Sequence, residues 1–190
     1  MTSKQNILSQ LRKSRIQPVD MPSFEDFTPV RYENPLEQFV LAAREVGGRV
    51  ALLDNIADIN DMIRTFYPDA SVIASSLPYV ASTLNPDTVS DASELNGTDV
   101  GVVRGEVAVA ENGCVWIPQT MKERAILFIS ESLVIVVDRN DLVHNMHEAY
   151  DRIVNPGYGC FISGPSKTAD IAQALVMGAQ AARDVLYLIV

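Results

Sequence analysis

The chain has 190 residues, 47% of them hydrophobic, and a formal net charge of -9. That length suits one domain with its own core, and the acidic balance argues against sequence-independent nucleic-acid binding, which draws its affinity from basic surface. No apolar run is long enough to cross a bilayer, and Ser3 to Arg15 is too polar for the apolar core of a secretory signal, so a cytoplasmic location is the expectation.

In chain order, residues 3–15 predict a short amphipathic helix with Ile7, Leu8 and Leu11 on one face and Lys4, Arg12, Lys13 and Arg15 making it basic. An arm spaced by Pro18, Pro22, Pro29 and Pro35 follows, interleaved with Phe24, Phe27 and Tyr32; it is expected to lie extended on the domain or on a partner. The organisation is therefore an N-terminal helix and arm over 1–34 and an α/β domain over 35–190. Asn34-Pro35 opens the next helix as N-cap and first helical residue, Leu36, Phe39, Val40 and Ala43 form its stripe, and Gly47-Gly48 ends it. A strand over 49–53, a helix over 56–67 and a strand over 71–74 come next; residues 77–96 carry little pattern.

From Thr98 the pattern changes to apolar runs at 99–103, 107–110, 114–117, 125–129 and 133–137, each read as a strand. Residues 142–154 predict an amphipathic helix with Leu142, Val143, Met146, Ala149, Tyr150 and Ile153 inward. A strand over 160–162, a helix over 172–177 and a buried closing strand over 185–190 complete the chain. Alternation of strand and helix at both ends implies parallel pairing, and short connections in the middle imply antiparallel pairing. The fold class expected is α/β, with one mixed, largely parallel sheet flanked by helices.

Residues 163–171 join a strand to a predicted helix. Gly164 permits a sharp or close-packed backbone, Pro165 cannot continue a central strand, Ser166 and Thr168 can cap a helix, and Asp170 suits its first turn. With the Lys167 ammonium, such a junction offers an anion site at the carboxyl end of a sheet; the plain alternative is a capped helix and nothing more. It is not a P-loop, because Ser166 stands where that motif needs glycine. Glu111-Asn112-Gly113 lies between two strand-like runs, and Asn-Gly predicts a type I′ hairpin; Glu111 is then either a solvated turn residue or a carboxylate usable as nucleophile or base. Arg104, Arg124 and Arg183 stand at strand ends, where each could pair a carboxylate or phosphate or simply face solvent. His144 and His147 lie opposite the apolar stripe of their helix, which favours a solvated face over a metal site. The cysteines, Cys114 and Cys160, sit inside apparent strands and read as buried thiols; far apart, they form no metal motif and cannot themselves hold an iron–sulfur cluster.

The run Ser163-Gly164-Pro165-Ser166-Lys167-Thr168-Ala169-Asp170-Ile171 resembles the signature of the LUD domain, the lactate-utilisation family that includes the LutC/YkgG proteins. The stretch from Val102 to Gly113, with Glu111 and Gly113, resembles a second segment of that family, and Arg124 and the last strand also fit; the resemblance covers roughly residues 35–190. It implies a fold like that of the sugar-phosphate isomerase, glucosamine-phosphate deaminase and CoA-transferase superfamily. It also implies a small subunit in oxidation of L-lactate, or a related 2-hydroxy acid, to pyruvate. Such a subunit would bind an anionic metabolite and hold no cofactor itself, with iron–sulfur clusters in partner subunits, one of them a LUD–ferredoxin protein. Anion or substrate contacts would fall on Gly164, Pro165, Ser166, Lys167, Thr168, Asp170, Asn112, Gly113, Arg104 and Arg124. A different reading is a stand-alone enzyme of the CoA-transferase type, because Glu111-Asn112-Gly113 resembles the turn whose glutamate forms a thioester there; a third is a small-anion-binding protein without chemistry. Two departures from the family stand out: Gln180 occupies the place of a common histidine, and Ser130 that of a common proline.

Overall fold

In the computed structural model, which describes residues 2–14, 20–23, 27–154, 157–168 and 175–190, the first helix, α1 (Ser3–Lys13), opens with a capping box between Thr2 and Gln5 and buries none of its residues. α2 (Pro35–Glu45) starts where Asn34 accepts the Glu37 N–H at 3.1 Å. It ends in a Schellman turn: Gly48 N–H donates to Ala43 C=O, Gly47 N–H to Arg44 C=O, and Gly47 takes φ +87°. There follow β1 (Arg49–Leu52), α3 (Ile59–Phe66), β2 (Ile73–Ala74), β3 (Val100–Arg104), β4 (Val107–Val109), β5 (Cys114–Pro118), α4 (Ile126–Ile129), β6 (Ser132–Val137), β7 (Leu142–Val143), α5 (Met146–Arg152), β8 (Gly159–Ile162), β9 (Lys167–Thr168), β10 (Val176–Met177) and β11 (Asp184–Ile189).

The α/β class holds, but the strands form two main sheets rather than one. A five-stranded sheet in the order β1-β11-β6-β3-β2 is parallel throughout. A second sheet, β7-β4-β5-β8, is mixed, with β7 parallel to β4 and the other pairs antiparallel. The switch between them is Gly105, whose N–H still bonds Val136 C=O while Glu106 N–H already bonds Trp116 C=O. A Cβ on Gly105 would stand 2.2 Å from Val115, so only glycine lets the chain turn there against the second sheet.

Both faces of the parallel sheet are buried, which is why its strands read as unbroken apolar runs. Along β6, Leu133, Ile135 and Val137 face a core shared with α2, α4 and the second sheet; Val134 and Val136 face one closed by Ile59 and Ile63 of α3. The far face of the second sheet, with Val107, Val109 and Trp116, packs under Met146 and Ala149 of α5.

Three sequence expectations change. Residues 125–129 are not a strand: Phe128 and Ile129 N–H both bond Ala125 C=O, and α4 buries Ile126 and Leu127 while exposing Phe128. A short apolar run does not distinguish strand from helix by periodicity. The helix expected over 142–154 begins only at Met146, because Asn145 caps it through the Glu148 N–H and Leu142-Val143 pair with β4 instead; Tyr150 points outward, 65% exposed. The helix expected over 172–177 ends as strand β10, and its residues 172–174 lie outside the described residues.

The arm behaves as expected where it is described. Asn145 donates to Val30 C=O at 2.9 Å, Tyr32 N–H donates to His144 Nδ1 at 3.0 Å, and Arg31 pairs with Glu148. His144 and His147 thus serve the arm rather than facing only solvent, with Phe27 against the His147 ring at 4.9 Å. Phe24 and Pro18 lie outside the described residues.

Candidate functional site

The two motifs singled out by sequence meet. Ser163 Oγ donates to Asn112 C=O at 2.9 Å across 51 residues of chain, and both segments close on the C-terminal end of α2. Gly113, at φ +65°, lies so near that helix that a Cβ would stand 2.5 Å from Ala43 N. Gly164, at φ +67°, approaches Val46 so that a Cβ would stand 2.6 Å from its carbonyl oxygen. Its N–H donates to Tyr187 Oη at 2.7 Å, and Tyr187 Oη in turn lies 3.3 Å from Ile162 C=O. Lys167 Nζ donates to the Val46 carbonyl, the group the Schellman turn leaves over, and places a cation at the negative end of the helix dipole.

This geometry corrects the predicted role of the segment. Lys167 and Thr168 form β9, which pairs with β10, so Ser166 leads into a strand rather than capping a helix; residues 169–174, Asp170 among them, lie outside the described residues. Nor does the segment lie at the carboxyl ends of the parallel strands. Ser166 N–H bonds Ala182 C=O, just before β11, and Lys167 reaches Val46, just before β1, so the site is at the amino-terminal edge. β8, which leads into it, belongs to the second sheet and carries the chain to the opposite end.

The Glu111 turn also differs from the expected type I′ hairpin. Val109 pairs with Cys114, leaving a four-residue loop over 110–113, closed by Gly113 N–H to Val109 C=O and by Asn112 Oδ1 accepting from Cys114 N–H. Glu111 is exposed, and one carboxylate oxygen accepts the Met146 N–H at the start of α5, at 3.0 Å. Arg104 and Arg124 are not brought to this cluster. Arg124 stacks 4.4 Å over the Tyr158 ring, Arg104 ends β3 at the opposite edge of the sheet, and Arg183 pairs with Glu131.

Beside the cluster is a cavity of about 400 Å³. Leu127, Phe128, Phe161 and Pro165 give it apolar walls, and Ser166, Lys167 and Gln180 bring polar groups to it. This is the composition of a small-molecule site, apolar with a few placed polar groups. Gln180 therefore faces the signature segment across one cavity.

Tyr187 escaped the sequence reading, although its position gave a signal: a hydroxyl inside an aliphatic buried strand must find partners. Burial pushes its pKa above the ordinary tyrosine value, opposed by the Gly164 N–H. The Cys114 thiol is likewise pushed up to about 12 by burial, which makes it a packing group rather than a nucleophile. Among the described residues, no group of three or more His, Cys, Asp or Glu side chains could hold a metal ion, and no helix is long and apolar enough to cross a membrane.

Curated relatives named lactate utilization protein C match part of the chain. Those from Oceanobacillus iheyensis and Shouchella clausii are 29% identical over 101 residues and 27% over 121 residues, taking in 48% and 60% of this chain but 43% and 53% of those proteins. The chain thus matches about half the length of these relatives. A crystal structure of a DUF162 family protein from Deinococcus radiodurans shares the fold, with a TM-score of 0.62 at 16% identity over 85% of this chain and 99% of that one. The family model described as the LUD domain matches residues 86–190, a shorter span than the resemblance suggested. That span holds the Glu111 turn, the signature segment and the strand of Tyr187, the parts that close on α2, and the chain belongs to the LUD-domain family.

Proposed function

We propose that the chain is an accessory LUD-domain subunit in the oxidation of L-lactate, or a related 2-hydroxy acid, to the 2-keto acid. It holds a small carboxylate in the cavity beside the signature segment and leaves the electrons to a partner that carries iron–sulfur centres. The observation that carries this reading is the cavity itself, where apolar walls meet Ser166, Lys167 and Gln180. The Lys167 ammonium has three donors, and Val46 takes one, leaving capacity for a carboxylate. The names of the relatives support the substrate class, and α1, helical yet burying none of its residues, supports docking to a partner.

A thermal-shift screen tests the reading, using L-lactate, pyruvate, sugar phosphates, nucleotides and CoA esters against the wild type, Lys167→Ala and Gln180→Ala. A ligand bound by the folded state alone adds about 2.7 kcal/mol at a hundredfold excess over its Kd. The expected result is a shift with L-lactate or pyruvate that both substitutions reduce. A shift with neither acid, or one that survives both substitutions, refutes the cavity as their site.

A further inference from the structure

The cavity beside the signature segment does not end at Gln180. Phe128, Gln180 and Ala181 line it and also line a second cavity, of about 440 Å³. The two make one trench, with walls from α4 and from the segment between β10 and β11. Both walls are held. Gly178 N–H donates to Ser166 C=O and Ser166 N–H to Ala182 C=O, each at 2.9 Å, which lays residues 178–182 along the signature segment. Ser130 Oγ donates to Ile126 C=O at 2.7 Å and closes α4. At the far end Arg183 N–H donates to Glu131 C=O at 2.9 Å and the two side chains form an ion pair, so the walls join there.

The trench thus has a cation, Lys167, at one end and an ion pair at the other. Between them Leu127, Phe128, Phe161 and Ala181 supply apolar surface. Phe128 is the largest exposed part of it. α4 buries Ile126 and Leu127 and turns Phe128 outward, 42% exposed. Its ring has no aromatic or cation partner among the described residues. Cavities of this size bury most of the surface of ligands well above three carbons. Lactate, whose apolar part is one methyl group, would fill the Lys167 end and leave Phe128 in water. A longer apolar side chain would cover that ring, which is where apolar binding energy comes from. A second negative charge on the side chain would gain little at the far end, because Glu131 already neutralises Arg183.

We propose, on the reading that Lys167 holds the carboxylate of a 2-hydroxy acid, that the preferred ligand is not lactate but a 2-hydroxy acid with an apolar side chain of several carbons. The side chain lies against Phe128 and passes Ala181 into the second cavity, so these two residues set the length accepted.

Isothermal titration calorimetry of the full chain tests it, with L-lactate, 2-hydroxybutyrate, 2-hydroxypentanoate and 2-hydroxyhexanoate. Kd should fall about fourfold per added methylene, the equivalent of ~0.8 kcal/mol for a CH2 taken out of water. Ala181→Leu fills the passage and Phe128→Ser removes the ring, so each should cut the gain across the series by at least about fivefold. Lys167→Ala should weaken every member alike. If lactate binds through Lys167 and the longer acids bind no more tightly, this proposal is overturned and the lactate reading stands. A gain with length that survives both Ala181→Leu and Phe128→Ser also overturns it, because the side chains then lie elsewhere. If no acid of the series binds, the cavity is no 2-hydroxy-acid site and both readings fall. Both substitutions are at residues that are not fully buried, and wild-type urea midpoints in the variants establish that the fold is intact.

Discussion

Gly113 and Gly164 do similar work: each brings a motif into backbone contact with α2 at a positive φ that L side chains rarely adopt. Gly113→Ala has to fit a methyl 2.5 Å from Ala43 N, and Gly164→Ala one 2.6 Å from Val46 O. Overpacking costs about 1–3 kcal/mol and left-handed backbone about 1–2 kcal/mol more, so each should lose about 3 kcal/mol in urea unfolding. Gly97→Ala is the control, since Gly97 has φ +82° with nothing within 4 Å; it should show the backbone cost alone, about 1 kcal/mol. Equal losses at all three positions would mean that the α2 contacts are not tight. Glu111 is judged in the same way. Its oxygen on the Met146 N–H is a structural contact, so Glu111→Ala should cost about 1 kcal/mol, in the range of a lost helix cap, while Glu111→Gln, which keeps an acceptor, should cost less. Incubation with an acyl-CoA should label neither the wild type nor Glu111→Gln; a covalent adduct on the wild type alone would favour the transferase reading instead. The residue types of this site were legible in the sequence, but their employment was not. Nothing local to Lys167 encodes that its partner is a carbonyl left over by a Schellman turn far upstream, and nothing local to Asn112 encodes Ser163.

At the scale of elements, legibility followed the strength of the local pattern. β6 and β11, buried on both faces, and α2, with Asn34-Pro35 at its start and Gly47-Gly48 at its end, carry their signals within a few residues. α4 does not, because Ala125 to Ile129 suits a strand equally well until Ser130 Oγ closes the turn on Ile126 C=O. The division into two sheets was also hidden, since it turns on one close contact at Gly105. α1 is the element whose stability the fold does not explain. Eleven residues that bury no side chain form a marginal helix in water, and Ile7, Leu8 and Leu11 are 56%, 42% and 61% exposed. Hydrogen exchange on the isolated protein should therefore find α1 amides unprotected and those of α2 protected; protection of α1 would mean that it docks on its own domain or on a second copy. Deletion separates helix from arm. Removing residues 1–14 should leave unfolding unchanged, whereas removing 1–34 should destabilise the domain by about 1–3 kcal/mol, because Asn145, His144 and Glu148 lose their arm partners and Asn34 no longer caps α2. If both deletions are silent, the arm does not hold the domain in solution.

Across the whole molecule, the parallel sheet separates two polar edges, and the groups its core buries set how the fold answers to pH. Asp99 is held below the ordinary carboxylate range by the N–H groups of Val72 and Ser71. Its contribution is present above the unfolded value of about 3.9 and is lost as pH falls through the lower folded one. On the alkaline side the sign reverses. Burial raises Cys114, Tyr187 and Tyr67, with Asp184 adding to the rise at Tyr67. Their neutral forms favour the folded chain, so this stability is complete below their unfolded values, about 8.5 for the thiol and 10 for the phenols, and drains away as pH rises toward the folded ones. Urea midpoints should accordingly be level between about pH 5 and 8, fall below about pH 4, and decline in two stages above about pH 8.5. Cys114→Ala should reduce the first stage, leaving the part that Cys160, also raised by burial, contributes. Tyr187→Phe should reduce the second, at the expense of about 1–2 kcal/mol at neutral pH, because Gly164 N–H then lacks its acceptor and the signature segment loses its tie to β11. A wild-type midpoint that stays level to pH 11 would mean that neither group is buried, and with them would go the close fit of β11 against the Ser163–Lys167 segment on which the amino-edge cavity depends.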